Sequence, residues 1–174
     1  MAENPPDRCY YCKKALFTRL IAAAAADGLP LVADGSNASD DASDRPGMRA
    51  LRELGVRSPL RECGVTKSEI RRLAAEAALP VWNKPSYACL ATRIPAGTAI
   101  TAGDLGRVAR GEAAFAAAGL SDFRLRLRGG DGLLQVRREQ MALAQAILPD
   151  LQLRLAGDFG SIMLDSSARE SRET

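Results

Sequence analysis

The residues best equipped for chemistry are four cysteines, a carboxylate-rich loop and a stripe of arginines. Cys9 and Cys12 form a CxxC, a spacing that suits a redox pair, half of a metal site or two packed small side chains. Cys89 lies in KPSYACLATRIP, flanked by Lys84 and Arg93, and a nearby cation favours the reactive thiolate. The alternative for Cys89 is a buried structural thiol. Asp40, Asp41, Asp44 and Arg45 share the loop DGSNASDDASDRPG, where they could bind magnesium, contact a ribose or cap a helix beginning near Pro46. Arg124, Arg126 and Arg128 alternate along one strand. They form either the solvated side of a half-buried sheet or an anion cradle, and three guanidinium forks with no intervening lysine or glutamate favour the cradle. Glu112 is four residues after Val108 and three before Phe115, so it shares their apolar helix face. A carboxylate there must be functional or paired, the arginines of the stripe being candidate partners, because burying it bare is costly.

Composition narrows the chemistry further. The 174 residues contain no histidine, which excludes imidazole-ligated zinc, Ser-His and Cys-His catalytic pairs and imidazole pH switching. Any nucleophile must be activated by lysine, arginine, a carboxylate or a metal. With 24 basic and 21 acidic side chains the net charge is +3, and no lysine-rich block appears, which argues against a nucleic-acid partner. Leu20 to Ala26 is the longest apolar run, too short to span a membrane, and the first residues lack a signal-peptide pattern. The expectation is a cytoplasmic chain whose cysteines are thiols or ligands rather than disulfides.

The elements that must position these groups follow from periodicity and punctuation. Residues 15–26 read as a helix stopped by Asp27-Gly28, and 29–32 as a short buried strand. Thr66 and Glu69 form a capping box, with Ile70, Leu73, Ala74 and Ala77 at helical spacing up to Pro80. Residues 80–97 resemble a boundary segment. Beyond it come a helix bearing Leu105, Val108 and Phe115, a hairpin of 123–128 with 133–137, a helix over 140–148 and strands over 151–155 and 161–164. This order predicts an α/β layered unit over 1–88 and a small α+β unit over 89–174.

Taken together, RCYYCKKAL, DGSNASDDASDRPGMRAL, SPLRECGVTKSEIRRLA, LPVWNKPSYACLATRIPAG and the late IMLD resemble the LarE family of ATP-dependent sulfur transferases, within the PP-loop ATP pyrophosphatase superfamily. The resemblance runs from about Cys9 to Asp165. It implies the C-terminal part of a PP-loop domain (adenine nucleotide α-hydrolase-like) followed by a small α+β domain. It also implies ATP and magnesium as cofactors, and sulfur insertion into an adenylated pyridinium carboxylate mononucleotide during nickel-pincer cofactor assembly. Cys89 would be either a sacrificial sulfur donor that becomes dehydroalanine or, with Cys9 and Cys12, the third ligand of a [4Fe-4S] cluster; the cluster gives all three cysteines a role. Arg93, Glu112, Arg124, Arg126 and Asp165 would line the transfer pocket, while Cys63 is structural and Trp82 packs the domain junction or stacks on a ring. The family's SGG-x-DS phosphate loop is absent, so the reading expects a truncated or split chain, a missing half supplied in trans or a homo-oligomer, and an association-prone sheet edge. The rival expectations are a tRNA thiolation enzyme of the PP-loop class and an inactive remnant serving as a metal- or partner-binding module.

Overall fold

A computed structural model describes residues 3–40, 45–167 and 169. The chain mixes helices with a small sheet and divides into two compact units, Pro5–Lys84 and Pro85–Glu173, the second also including Asn4. Among the described residues no helix is long and apolar enough to cross a membrane.

The first unit is helical. Helix α1 (Arg8–Ala26) starts one residue after Asp7, in the turn set by Pro5 and Pro6, so it runs seven residues further towards the N-terminus than its alanine-rich part predicts. It packs on α2 (Pro46–Glu53), which begins at the expected proline. The approach is close: a Cβ on Gly47 would lie 3.0 Å from Lys13 Cδ. Tyr10 donates to Glu53 (2.7 Å), and Arg49 stacks 3.9 Å from the Tyr10 ring. A short α3 (Pro59–Glu62) precedes α4 (Lys67–Glu76), whose N-terminus carries the predicted capping box. Helix α4 stops at Ala77, ahead of Pro80, because Ala78 takes a left-handed turn (φ 54°). The strand expected over 29–32 does not form. Pairing is reduced to a parallel bridge between Ala33 and Arg57, and Leu29 and Leu31 are 58% and 55% exposed. Among the described residues of this unit the buried apolar side chains are Met48, Ala50 and Leu51.

The second unit holds the main core. Helix α5 (Ala102–Ala117) is capped by Thr101, whose hydroxyl accepts from the Asp104 amide. Strands β1 (Arg124–Arg128) and β2 (Asp131–Gln135) form a hairpin whose second strand begins two residues earlier than the expected 133–137, and β3 (Ile162–Leu164) lies parallel to β2 in the order β1-β2-β3. The register sets Leu125 opposite Leu134 and Ile162 beside Gly132, so these face the core with Val108, Phe115 and Phe159. Arg124 opposite Gln135 and Arg126 opposite Leu133 face the other way. Helix α6 (Met141–Arg154) replaces the helix–strand pair expected over 140–155. Ala144, Leu151 and Leu155 recur at helical spacing into the core, and their burial carries the helix through Pro149.

Candidate functional site

The arrangement around Cys89 lies within the second unit. Residues 86–93 cross the polar face of the sheet and end in a 3-10 turn (Leu90–Arg93) that starts directly after Cys89. Cys89 is exposed, as are Cys9, Cys12 and Cys63, and all four are free thiols. Cys89 is therefore not the buried structural thiol that is its alternative reading.

Arg93 anchors this segment. It is 1% exposed and forks onto Glu112, itself 4% exposed, through Nε to Oε1 (2.7 Å) and Nη2 to Oε2 (3.0 Å). Its Nη1 donates to Ala88 O (3.1 Å), Cys89 O (3.4 Å) and the Thr92 hydroxyl (2.8 Å). The Thr92 hydroxyl donates in turn to Cys89 O (2.8 Å). Glu112 therefore pairs with Arg93 rather than with the β1 stripe, and Oε1 also accepts the Leu125 amide of the β1 edge (3.1 Å). The apolar helix face was the correct signal; its partner sits 19 residues away in sequence. Gly111 makes the approach possible, since a Cβ there would fall 2.4 Å from Leu125 Cδ2.

Tyr87 covers the pair from outside. Its ring lies 5.2 Å from the Arg93 guanidinium, and burial together with a hydrogen bond to Glu112 raises its phenol above the ordinary value. Asn4, fully buried with φ 53°, donates to Ile94 O (3.2 Å) and Pro95 O (2.7 Å) and holds the turn after Arg93.

The arginine face completes the arrangement. Arg124 is buried rather than solvated and donates to Ser86 O (3.1 Å) and Phe123 O (2.9 Å). Arg126 donates to Thr92 O (3.0 Å) and, through Nε, to Gln135 Oε1 (2.6 Å). Both guanidinium pKa values are lowered, first by burial and then by neighbouring cations: Arg169 and Arg93 for Arg124, and Arg93, Arg128 and Arg169 for Arg126. Arg169 ion-pairs with Asp122, as Arg93 does with Glu112. Among the described residues no carboxylate pairs with Arg124 or Arg126, so positive charge accumulates beside the Cys89 segment. Asp165 lies further along. Hydrogen bonds from Ser167 and from Gln135 Nε2 (2.8 Å) hold its carboxyl below the usual range.

The first unit holds the other predicted residues. Asp40 accepts from Arg45 Nη1 (2.6 Å) and from the Asn37 amide (3.1 Å), and its carbonyl accepts from Arg61 (2.5 Å). Asp41 and Asp44 lie outside the described residues. Within either unit, no three Cys, Asp or Glu side chains among the described residues gather to hold a metal. Cys9 and Cys12 stand one helical turn apart near the start of α1, both exposed, and as free thiols they are chemically suited to iron or zinc. Trp82 is 47% exposed. Sequence reasoning missed Asn4, Tyr87, Thr92, Gly111 and Gln135. Only Gln135 had a signal, as the residue opposite Arg124 once the hairpin register is written out.

No family model matches the chain. It is similar to three curated proteins. It is 42% identical over 123 residues to an uncharacterized protein of Synechocystis sp., covering 71% of this chain and 46% of that protein. Identity is 37% over 123 residues to the pyridinium-3,5-bisthiocarboxylic acid mononucleotide synthase of Lactiplantibacillus plantarum, covering 71% and 45%. With an uncharacterized protein of Methanocaldococcus jannaschii it is 35% over 106 residues, covering 61% and 41%. The chain thus spans somewhat less than half the length of the curated relatives it matches.

Proposed function

We propose that the chain belongs to the LarE family and carries the sulfur-transfer site of a synthase that places sulfur on a pyridinium carboxylate mononucleotide. The supporting observation is an exposed Cys89 whose backbone is fixed by a buried Arg93–Glu112 fork, beside two arginines with which no carboxylate among the described residues pairs. The similarity to a bisthiocarboxylic acid mononucleotide synthase supports the same reading.

In this reading Arg124 and Arg126 hold the phosphate and carboxylate of the substrate, and Asp165 closes the far end of the face through Gln135. Arg93 and Glu112 position rather than react, because their polar atoms are directed at each other and at the loop. Activation of the carboxylate as its adenylate, with ATP and magnesium, belongs to the same proposal, with Asp40, Asp41, Asp44 and Arg45 in the nucleotide loop. The Cys89 thiolate attacks the acyl carbon, AMP departs with the C–O bonding pair, and a thioester forms. Water or hydroxide at the exposed Cys89 takes its Cα proton, the C–H pair forms the Cα=Cβ bond, and the Cβ–Sγ pair leaves with sulfur, giving a thiocarboxylate and dehydroalanine with no net oxidation. A [4Fe-4S] cluster held by Cys9, Cys12 and Cys89 would instead supply sulfide and spare the side chain.

The test supplies chemically prepared adenylate to the chain, with and without anaerobic iron–sulfide loading. Thiocarboxylate should form with wild type and not with Cys89→Ala. With inorganic sulfide kept in excess, product limited to one per chain marks the sacrificial route, and repeated turnover only after cluster loading marks the cluster. Undiminished product from Cys89→Ala overturns the proposal.

A further inference from the structure

Within the polar face of the sheet, Gln135 occupies an unusual position. Its carbonyl oxygen accepts from Arg126 Nε at 2.6 Å, and its amide nitrogen donates to Asp165 Oδ2 at 2.8 Å. Only this orientation of the amide satisfies both neighbours, since a guanidinium donates and a carboxylate accepts. Asp165 is further committed to Ser167, which donates through its amide (3.0 Å) and hydroxyl (2.6 Å). The neighbouring cations at Arg93 and Arg169 meet carboxylates directly. Arg126 meets a neutral amide, with the carboxylate one side chain further away.

Resting on the reading of Arg124 and Arg126 as an anion cradle, we infer that Gln135 is a positioning residue that sets anion affinity: a neutral bridge that orients Arg126 while keeping Asp165 from neutralising it. Direct contact with a carboxylate would discharge Arg126 internally and make an incoming phosphate compete for it. The bridge gives Arg126 fixed geometry through Gln135 and Thr92 O and leaves its charge for the ligand.

A charge swap separates this from a merely structural bridge. In Gln135→Glu/Asp165→Asn the net charge and the chain of hydrogen bonds are retained, but the carboxylate now sits on Arg126. With nicotinic acid mononucleotide as the probe, titrated calorimetrically at low salt, the swap should weaken binding about tenfold or more at unchanged Tm. Asp165→Asn alone should bind at least as tightly as wild type, because it removes negative charge from the face and keeps the amide on Arg126. Should the swap prove unstable, this single variant decides: weaker binding means that the bridge is only structural. Wild-type affinity in a folded swap overturns the role of Gln135 while leaving the cradle intact, provided Arg126→Ala weakens binding. If wild type fails to bind the probe, or Arg126→Ala binds it equally well, the cradle reading itself falls and this inference with it.

Discussion

At the scale of single residues, burial decides which interactions matter. The Arg93–Glu112 fork is withdrawn from water on both sides, so removing one partner leaves the other charged, buried and unpaired. Glu112→Ala should therefore cost about 3–5 kcal/mol in urea unfolding. Arg93→Met/Glu112→Leu should be much milder for stability, yet it loosens the backbone around Cys89 and so separates stability from transfer. Acid behaves differently in the first unit. Burial of Asp34 would raise its pKa, but hydrogen bonds from Ser36 and Ser58 and the Lys13 charge outweigh this and hold it below the usual value. Glu62 is lowered from 4.5 to about 2, first by its hydrogen bond from Arg57. For a carboxylate depressed in the folded state, the stabilisation is present above the unfolded pKa and disappears as pH falls through the folded one. The difference in stability between wild type and Asp34→Asn should shrink on acidification below the ordinary carboxylate range. That for Glu62→Gln should fade between about 4.5 and about 2. A difference independent of pH would contradict both.

At the scale of elements, what was legible followed from short-range signals. Thr66 with Glu69 announces α4, Pro46 announces α2, and strict alternation in Phe123 to Arg128 announces β1. The failures have physical causes. Leu29 to Val32 has the composition of a buried strand, but among the described residues no neighbour supplies a ladder beyond the bridge of Ala33 with Arg57. A helix over 140–148 followed by a strand over 151–155 is expected, yet tertiary burial of Leu151 and Leu155 continues α6 past Pro149. The close approach of α5 to β1 at Gly111 has no sequence pattern at all. Gly111→Ala should thus destabilise by about 1–3 kcal/mol despite alanine's better helix propensity, because the new methyl meets Leu125. Thermal unfolding of this variant checks the point; a gain in Tm would contradict it.

Across the whole molecule, burial is unequal. The second unit encloses a continuous apolar core, whereas the first leaves Leu16, Leu20, Leu29, Leu31, Leu73 and Leu79 open. Leu125→Ala should cost about 2–5 kcal/mol by denaturant unfolding, while Leu31→Ser should fall within about 0.5 kcal/mol. A large loss from Leu31→Ser would mean that this surface is covered in solution. Of the candidate site, the residue types were legible because they are chemically conspicuous: free cysteines, an acid on an apolar face, alternating arginines. Their pairings were not, since Glu112 with Arg93 and Gln135 with Asp165 are joined only by tertiary structure.

If Cys89 and the arginine face form one site, an anion held by the arginines must shield the Cys89 thiol from alkylation. The chain would be treated with iodoacetamide with and without saturating nicotinic acid mononucleotide, and modification of each cysteine followed by peptide mass spectrometry. The ligand should slow modification of Cys89 while Cys63 reacts at its original rate, and Arg126→Ala should abolish the protection. Equal rates at Cys89 with and without bound ligand would mean that the thiol and the arginine face are separate.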